Sequence, residues 1–150
     1  MGIFNFLKNL VDSKKNIEDF VSTEVKDEDL VDAIEDEYGA KYSMDGKRLL
    51  TFPKDFLCDN FALCSGYVIR EGTKVICDKA FEGSNLASIN IPESVTRIGV
   101  EAFCACLSLT SIVVRSKVLS IGTGAFWGCG SLDDSYRNVL QRRFGENVVD

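Results

Sequence analysis

The sequence predicts an α/β solenoid: a short ladder of parallel strands, closed by helices and a hairpin at its start and by one helix at its end. Two observations carry that reading. First, Ile76, Ile98 and Ile121 stand in one column, Ala80, Ala102 and Ala125 in a second, and Phe81, Phe103 and Phe126 in a third, at spacings of 22 and then 23 residues. Self-similarity at such a period marks a solenoid, in which no repeat buries its apolar face alone and stacking builds one continuous core. Second, each copy opens on an alternating triplet, Tyr67-Val68-Ile69, Ile89-Asn90-Ile91 or Ile112-Val113-Val114. A period of two fits a short strand with one buried face. Leu86, Leu109 and Leu132 keep a spacing of 23 throughout, so one residue is missing around Ser84-Asn85.

Taken in order, residues 3–21 place Ile3, Phe4, Phe6, Leu7, Leu10, Val11, Ile17, Phe20 and Val21 close to helical spacing. That predicts an amphipathic helix, broken near Ser13, docked on the solenoid end or on another chain. A membrane-surface helix calls for a Lys/Arg-rich polar face, and this one is mixed. Residues 27–38 predict a second helix, with Asp27 as cap, Leu30, Val31, Ile34 and Tyr38 as a stripe, and Gly39 as the stop. Its other face is almost all carboxylate without the spacing of an EF-hand loop, and reads as a solvated acidic surface.

Asp45-Gly46 between short apolar runs predicts a β-hairpin with a type I′ turn. Leu50, Phe52 and Pro53 echo Ile89, Ile91 and Pro92, so this segment reads as a degenerate first rung, with Phe56, Leu57, Phe61 and Leu63 sealing the end. In each full repeat a turn follows the triplet, and Val-x-x-Ile-Gly (Val95, Ile98, Gly99; Val118, Ile121, Gly122) forms a second apolar edge. Ala-Phe and a Cys/Ser column (Ser84, Cys106, Cys129) then make a tight turn that returns the leucine inward. From Asp133 to Gly145 the chain has a capping acid, apolar Tyr136, Val139, Leu140 and Phe144, late cations and a terminal glycine, which predict a C-terminal capping helix.

The pattern Ile-x-Ile-Pro-x-Ser-Val-x-x-Ile-Gly-x-x-Ala-Phe-x-x-Cys-x-x-Leu at residues 89–109 resembles the BspA-like class of leucine-rich repeats almost position for position. The copy at 112–132 departs at Arg115, and that at 67–86 at Arg70, Cys77 and Ser84. The resemblance covers roughly residues 40–145. It implies a short leucine-rich-repeat solenoid with a parallel strand ladder, N-terminal helices and hairpin cap, and a C-terminal capping helix. It also implies a non-enzymatic adhesion or protein-binding module of the kind found at the surfaces of host-associated microbes. The expected organisation is an acidic helical segment at 1–39, a hairpin and degenerate repeat at 40–66, repeats at 67–88, 89–111 and 112–134, and a capping helix at 135–150.

Composition excludes several classes. Of the net charge of −6, residues 1–45 hold 5 basic and 12 acidic side chains, and the repeats are nearly neutral. No basic footprint for nucleic acid is present. No apolar run is long enough to span a membrane. The N-terminus lacks the pattern of a secretory leader, and Phe6 stands where myristoylation wants Ser or Thr, so a cytoplasmic location is expected. The six cysteines read as free thiols, since the chain is not a disulfide-stapled mini-protein, and with no histidine a zinc site lacks ligands.

Without histidine neither a Ser-His-Asp nor a Cys-His arrangement exists. Gly122-Thr-Gly-Ala-Phe-Trp-Gly128 only partly matches a dinucleotide loop, because Trp127 stands at the third glycine. No catalytic, cofactor-binding or metal residue is assigned. The candidate site is a protein-binding face made by the outward residues of successive rungs: Val68, Arg70, Asn90, Pro92, Val113 and Arg115. The partner expected is an unidentified protein. The alternative is a structural, self-assembling chain, a homo-oligomer dimerising through the helices at 3–38.

Overall fold

The computed structural model describes residues 21–56 and 66–150. The expected helix over 3–21 lies almost wholly outside them, as do Leu57, Phe61, Leu63, Cys58 and Cys64. Each repeat contributes one strand to each of two ladders. The first is a three-stranded parallel sheet of β4 (Gly66–Val68), β6 (Ser88–Asn90) and β8 (Ser111–Val113), with Tyr67, Ile89 and Ile112 in register. The second has the order β1-β2-β3-β5-β7-β9. Its parallel part joins β3 (Arg48–Thr51), β5 (Val75–Ile76), β7 (Arg97–Ile98) and β9 (Ser120–Ile121), with Leu49, Ile76, Ile98 and Ile121 in register. A hairpin of β1 (Ile34–Glu35) and β2 (Lys41–Tyr42) extends it antiparallel.

The core fills the space between the ladders and a third edge of tight turns. Phe81, Phe103 and Phe126 are fully buried. Their rings stack with centroids 5.1 Å apart and interplanar angles of 10° and 8°. One residue type at one phase of the repeat is thereby its own packing partner. Burying a phenylalanine contributes about 1.5–3 kcal/mol, so this column is a main source of stability. In the adjoining column the Cys106 thiol donates to the Phe81 carbonyl and the Cys129 thiol to the Phe103 carbonyl, both at 3.0 Å. Ser84 heads the column with its Oγ 3.5 Å from the Cys106 sulfur. A small side chain with a weak donor satisfies a buried carbonyl at each step. The described cysteines, Cys77, Cys104, Cys106 and Cys129, are free thiols.

Two glycine patterns follow from this stacking. Gly99 and Gly122 lie against the backbone of the preceding rung, where a Cβ would stand 2.5 Å from the Asp78 nitrogen and 2.6 Å from the Gly99 carbonyl carbon, respectively. Cys77 occupies the same column in the first repeat, next to β3. Its side chain packs with Leu50 and Val75 against Val21, Val25 and Ala33. In the third edge, Lys79, Glu101 and Gly124 share one left-handed position, and Gly83, Ala105 and Gly128 share another.

The N-terminal part departs from expectation. α1 spans only Asp27–Val31, and its start is held by Asp29, whose carboxylate accepts the Lys26 N–H at 2.9 Å, rather than by Asp27. Acids crowd the helix and no cation stands in its last turn, so nothing offsets the negative C-terminal end of the dipole. The chain turns into β1 instead, and Asp36 closes the β1–β2 turn by accepting the N–H groups of Tyr38 and Ala40, both at 2.9 Å. The Asp45-Gly46 hairpin forms, but its loop is wider than a two-residue type I′ turn, and only Gly46 has positive φ. Asp45 holds it by accepting from the Ser43 hydroxyl and the Lys47 N–H.

β3 is a degenerate rung of the second ladder rather than the first. Leu49 stands beside Ile76, and Phe52 joins the phenylalanine stack at 5.2 Å from Phe81. The echo of Leu50, Phe52 and Pro53 with Ile89, Ile91 and Pro92 therefore does not describe their places in space.

Two segments pack over the repeats. Residues 21–26 cross the second ladder: Arg97 donates to the Val21 carbonyl, the Asp78 N–H to Thr23, and Arg48 to Glu24 and to the Asp29 carboxylate. At the other end, α2 (Asp134–Phe144) begins with the Asp133 carboxylate accepting the Ser135 N–H and buries Leu140, while Val139 of the expected stripe is exposed. Arg137 and Arg143 donate to the last rung's carbonyls at Leu132 and Cys129 and at Val114 and Arg115. A 3₁₀ turn at Glu146–Val148 then supplies the Asn147 and Val148 carbonyls to the N–H groups of Gly124 and Phe126. The tail thus acts as a final half-rung.

Candidate protein-binding face

β4, β6 and β8 hold their outward residues in two rows. Val68, Asn90 and Val113 are in register, as are Gly66, Ser88 and Ser111. Val68 is 69% and Val113 50% exposed, and Asn90 between them is also exposed. Inward Tyr67, Ile89 and Ile112 are buried, so the backbone beneath the face is fixed by the core. Gly66 permits close approach, since a Cβ there would meet the Ser88 hydroxyl at 2.6 Å. Between β6, β8 and the helical cap lies an open groove of about 260 Å³ lined by Ser88, Asn90, Ser111, Val113, Arg115 and Tyr136.

Four of the six expected face residues therefore come together, Val68, Asn90 and Val113 in one row and Arg115 beside them in the groove, while Arg70 and Pro92 have different places. Each strand ends at its second outward residue, and the column of Arg70, Pro92 and Arg115 begins the turn to the second ladder. Their carbonyls accept the N–H groups of Thr73, Val95 and Val118. Pro92 is buried, because alternation stops where the strand stops. The Arg115 Nε donates to the Ile91 carbonyl at 3.3 Å, and its own carbonyl accepts from Arg143. Arg70 lies with its guanidinium 4.9 Å over the Tyr42 ring. Both arginines remain at the rim of the face, partly committed to the fold.

Behind Arg70 runs a buried polar chain. The Arg70 N–H donates to the Tyr42 hydroxyl, which bonds the Tyr67 hydroxyl at 2.6 Å, and Tyr67 donates to the Asp36 carboxylate at 2.5 Å. Burial, then the bond to Asp36, pushes the Tyr67 hydroxyl far above the ordinary tyrosine range. Burial raises Tyr42 as well. Both stay protonated, and the chain works as a fixed strut under the rim.

Ser88, Ser111 and Tyr136 are contributors that the sequence reading missed. The serines precede the inward isoleucine of each triplet, so the same alternation signals them. Tyr136 carried no such signal, since helical spacing assigned it to packing. A larger hollow of about 520 Å³ near Cys104 and Trp127 offers no evident reactive group. Burial and the acids Glu101 and Glu82 raise the Cys104 thiol, which disfavours the nucleophilic thiolate. Among the described residues no cluster of three metal-ligating side chains occurs, and no helix is long and apolar enough to cross a membrane.

Comparison with known proteins places this architecture. The chain is similar in structure to the pneumococcal vaccine antigen PcpA, at 22% identity and a TM-score of 0.60 over 68% of this chain and 24% of that one. It is also similar to a leucine-rich cell surface protein of Faecalibacterium prausnitzii, at 26% identity and 0.59 over 68% of this chain and 26% of that one. A leucine-rich repeat protein of Bacteroides capillosus matches at 24% identity and 0.55, over 68% of this chain and 79% of that one. The chain thus spans about a quarter of the length of the first two. Comparison with curated proteins finds no match. The family model for the BspA type leucine rich repeat region matches residues 58–147 in six copies. With more than half of its length matched and the repeat columns stacked as the pattern requires, the chain belongs to the BspA-type leucine-rich repeat family.

Proposed function

We propose that this chain is a non-enzymatic, adhesion-type protein-binding module, and that its contact surface is the outward face of β4, β6 and β8. The observation that carries the reading is the register of Val68, Asn90 and Val113, two exposed valines flanking an amide on a backbone that the core holds rigid. Family membership and the likeness to a protein described as a cell surface protein support the same class. Three strands at about 4.8 Å spacing present only a few hundred Å², whereas a stable interface takes about 800 Å² from each partner. The face alone therefore binds weakly, and tight capture draws on further contacts or on several copies.

The test is affinity capture from the source cell with the wild-type chain and with Val68→Glu plus Val113→Glu. Loss of the captured protein with an unchanged circular dichroism spectrum is expected, and undiminished capture overturns the assignment. Arg70→Glu and Arg115→Glu are poorer probes, because both arginines also hold the fold. The second reading, a structural chain dimerising through its N-terminal segment, draws support from the exposure of Leu30, Val31 and Tyr38. A monomer mass for the full chain at all concentrations removes it.

A further inference from the structure

The second ladder ends in two edges that nothing pairs among the described residues. β1 bonds only β2, and β9 only β7. The other open groups of the last rung are covered: α2 places Arg137 and Arg143 on its carbonyls, and the tail caps Gly124 and Phe126. At β9 no such cover exists among the described residues, and Leu119 beside it is 74% exposed. At the opposite edge Val31 is 81% and Ile34 41% exposed. An unpaired strand edge flanked by exposed apolar side chains is a template for another strand.

The two edges carry opposite charge. Asp32, Glu35 and Glu37 stand exposed around β1. Lys117 precedes β9, and the end of α2 that Arg143 ties to Val114 and Arg115 carries Arg142 and Arg143, so that with Glu146 beyond them the balance at this end is positive. An edge meeting its own kind would bring like charges together, which disfavours a two-fold dimer at either end. Unlike edges attract.

We propose that a second copy of this chain is the partner of these edges: β9 of one molecule pairs with β1 of the next, head to tail, with Leu119 against Val31 and Ile34, and Lys117 facing Glu35. Such a head-to-tail contact leaves one edge of each kind free on the pair, so further copies add to it. Each edge strand is two residues long, so every contact is weak and growth depends on concentration. The contact rests partly on exposed charges, and salt weakens it. This does not depend on the binding role given to β4, β6 and β8, which lie in the other ladder.

Sedimentation velocity on the full chain tests it. At low salt the average mass rises with concentration beyond twice the chain's 16.6 kDa, and added salt returns it toward the monomer. Ile34→Lys blocks one edge and Leu119→Glu the other, and each variant alone stays monomeric. Mixed, they retain one complementary pair of intact edges and form a one-to-one dimer that grows no further. Val31→Lys serves for the first edge if Ile34→Lys perturbs the fold by circular dichroism. A monomer at every concentration in low salt overturns the proposal. So does assembly that survives both single variants, which assigns self-association to another surface, or a mixture that fails to dimerise while the wild type assembles.

Discussion

Gly99 rests against Asp78 so closely that a Cβ on Gly99 would stand 2.5 Å from the Asp78 backbone nitrogen. Backbone, unlike a flexible side chain, cannot move aside without breaking the ladder hydrogen bond from the Gly99 N–H to the Ile76 carbonyl. We expect Gly99→Ala and Gly122→Ala each to destabilise the fold by about 3 kcal/mol, at the upper end of overpacking costs. A fall in the urea midpoint, larger than that for alanine at exposed Gly130, is the measurement. An unchanged midpoint shows that the rungs are not in van der Waals contact there.

The third edge yields a prediction of opposite sign. Ala105 holds φ of 56° at the position that Gly83 and Gly128 fill in the neighbouring repeats. A left-handed non-glycine residue costs about 1–2 kcal/mol, against roughly 0.5–1 kcal/mol of extra chain entropy lost by glycine. Ala105→Gly is therefore expected to raise stability by up to about 1 kcal/mol, and Gly128→Ala to lower it by a similar amount or more. Thermal midpoints of the two variants moving in the same direction would count against the shared geometry.

Phe103 sits at the middle of the stack with an aromatic ring 5.1 Å away on either side. Truncation leaves both neighbours facing a cavity. Phe103→Ala should cost about 3–5 kcal/mol, and Phe103→Leu markedly less, by chemical denaturation. Equal losses for the two would mean that stacking order, rather than filled volume, sets the stability of the column.

Stability should fall on the alkaline side. Burial pushes the Cys77 thiol from 9.0 up to about 11, against the opposing pull of Arg48. The unfolded chain thus loses this proton first as pH rises. The stabilisation is full below pH 9.0 and is gone once pH passes about 11. At about 1.4 kcal/mol per unit, the loss is about 2–3 kcal/mol. Cys77→Ala removes this part of the pH dependence, so the gap between wild-type and variant stability should shrink from pH 8 to pH 10.5. A gap that stays constant would mean that the thiol ionises as readily in the folded chain.

Much of the fold was legible because its neighbours in space are its neighbours in phase. The Phe81, Phe103 and Phe126 column and the Cys106 and Cys129 column were readable directly, since each residue packs on its own counterpart one period away. The candidate face was half legible: period-two alternation points Val68, Asn90 and Val113 outward, but it does not mark where each strand stops. Pro92 was misjudged for that reason, being buried where the strand has ended. Tyr136 could not be read at all as a groove residue, because it is the docking of its helix beside β8 that brings it to the face.

The amino-acid order alone determined the repeat length, the inward columns, the capping of α2 by Asp133 and the near absence of basic footprint, because these rest on side-chain type and local spacing. Only the tertiary structure decided that β3 joins the second ladder, that α1 stops at Val31, that Cys77 packs with Leu50 and Val75 in the glycine column, and that two oppositely charged edges are unpaired among the described residues. Those outcomes depend on which backbone lies alongside which, and a hydrogen bond between distant segments leaves no mark in the local pattern of either one.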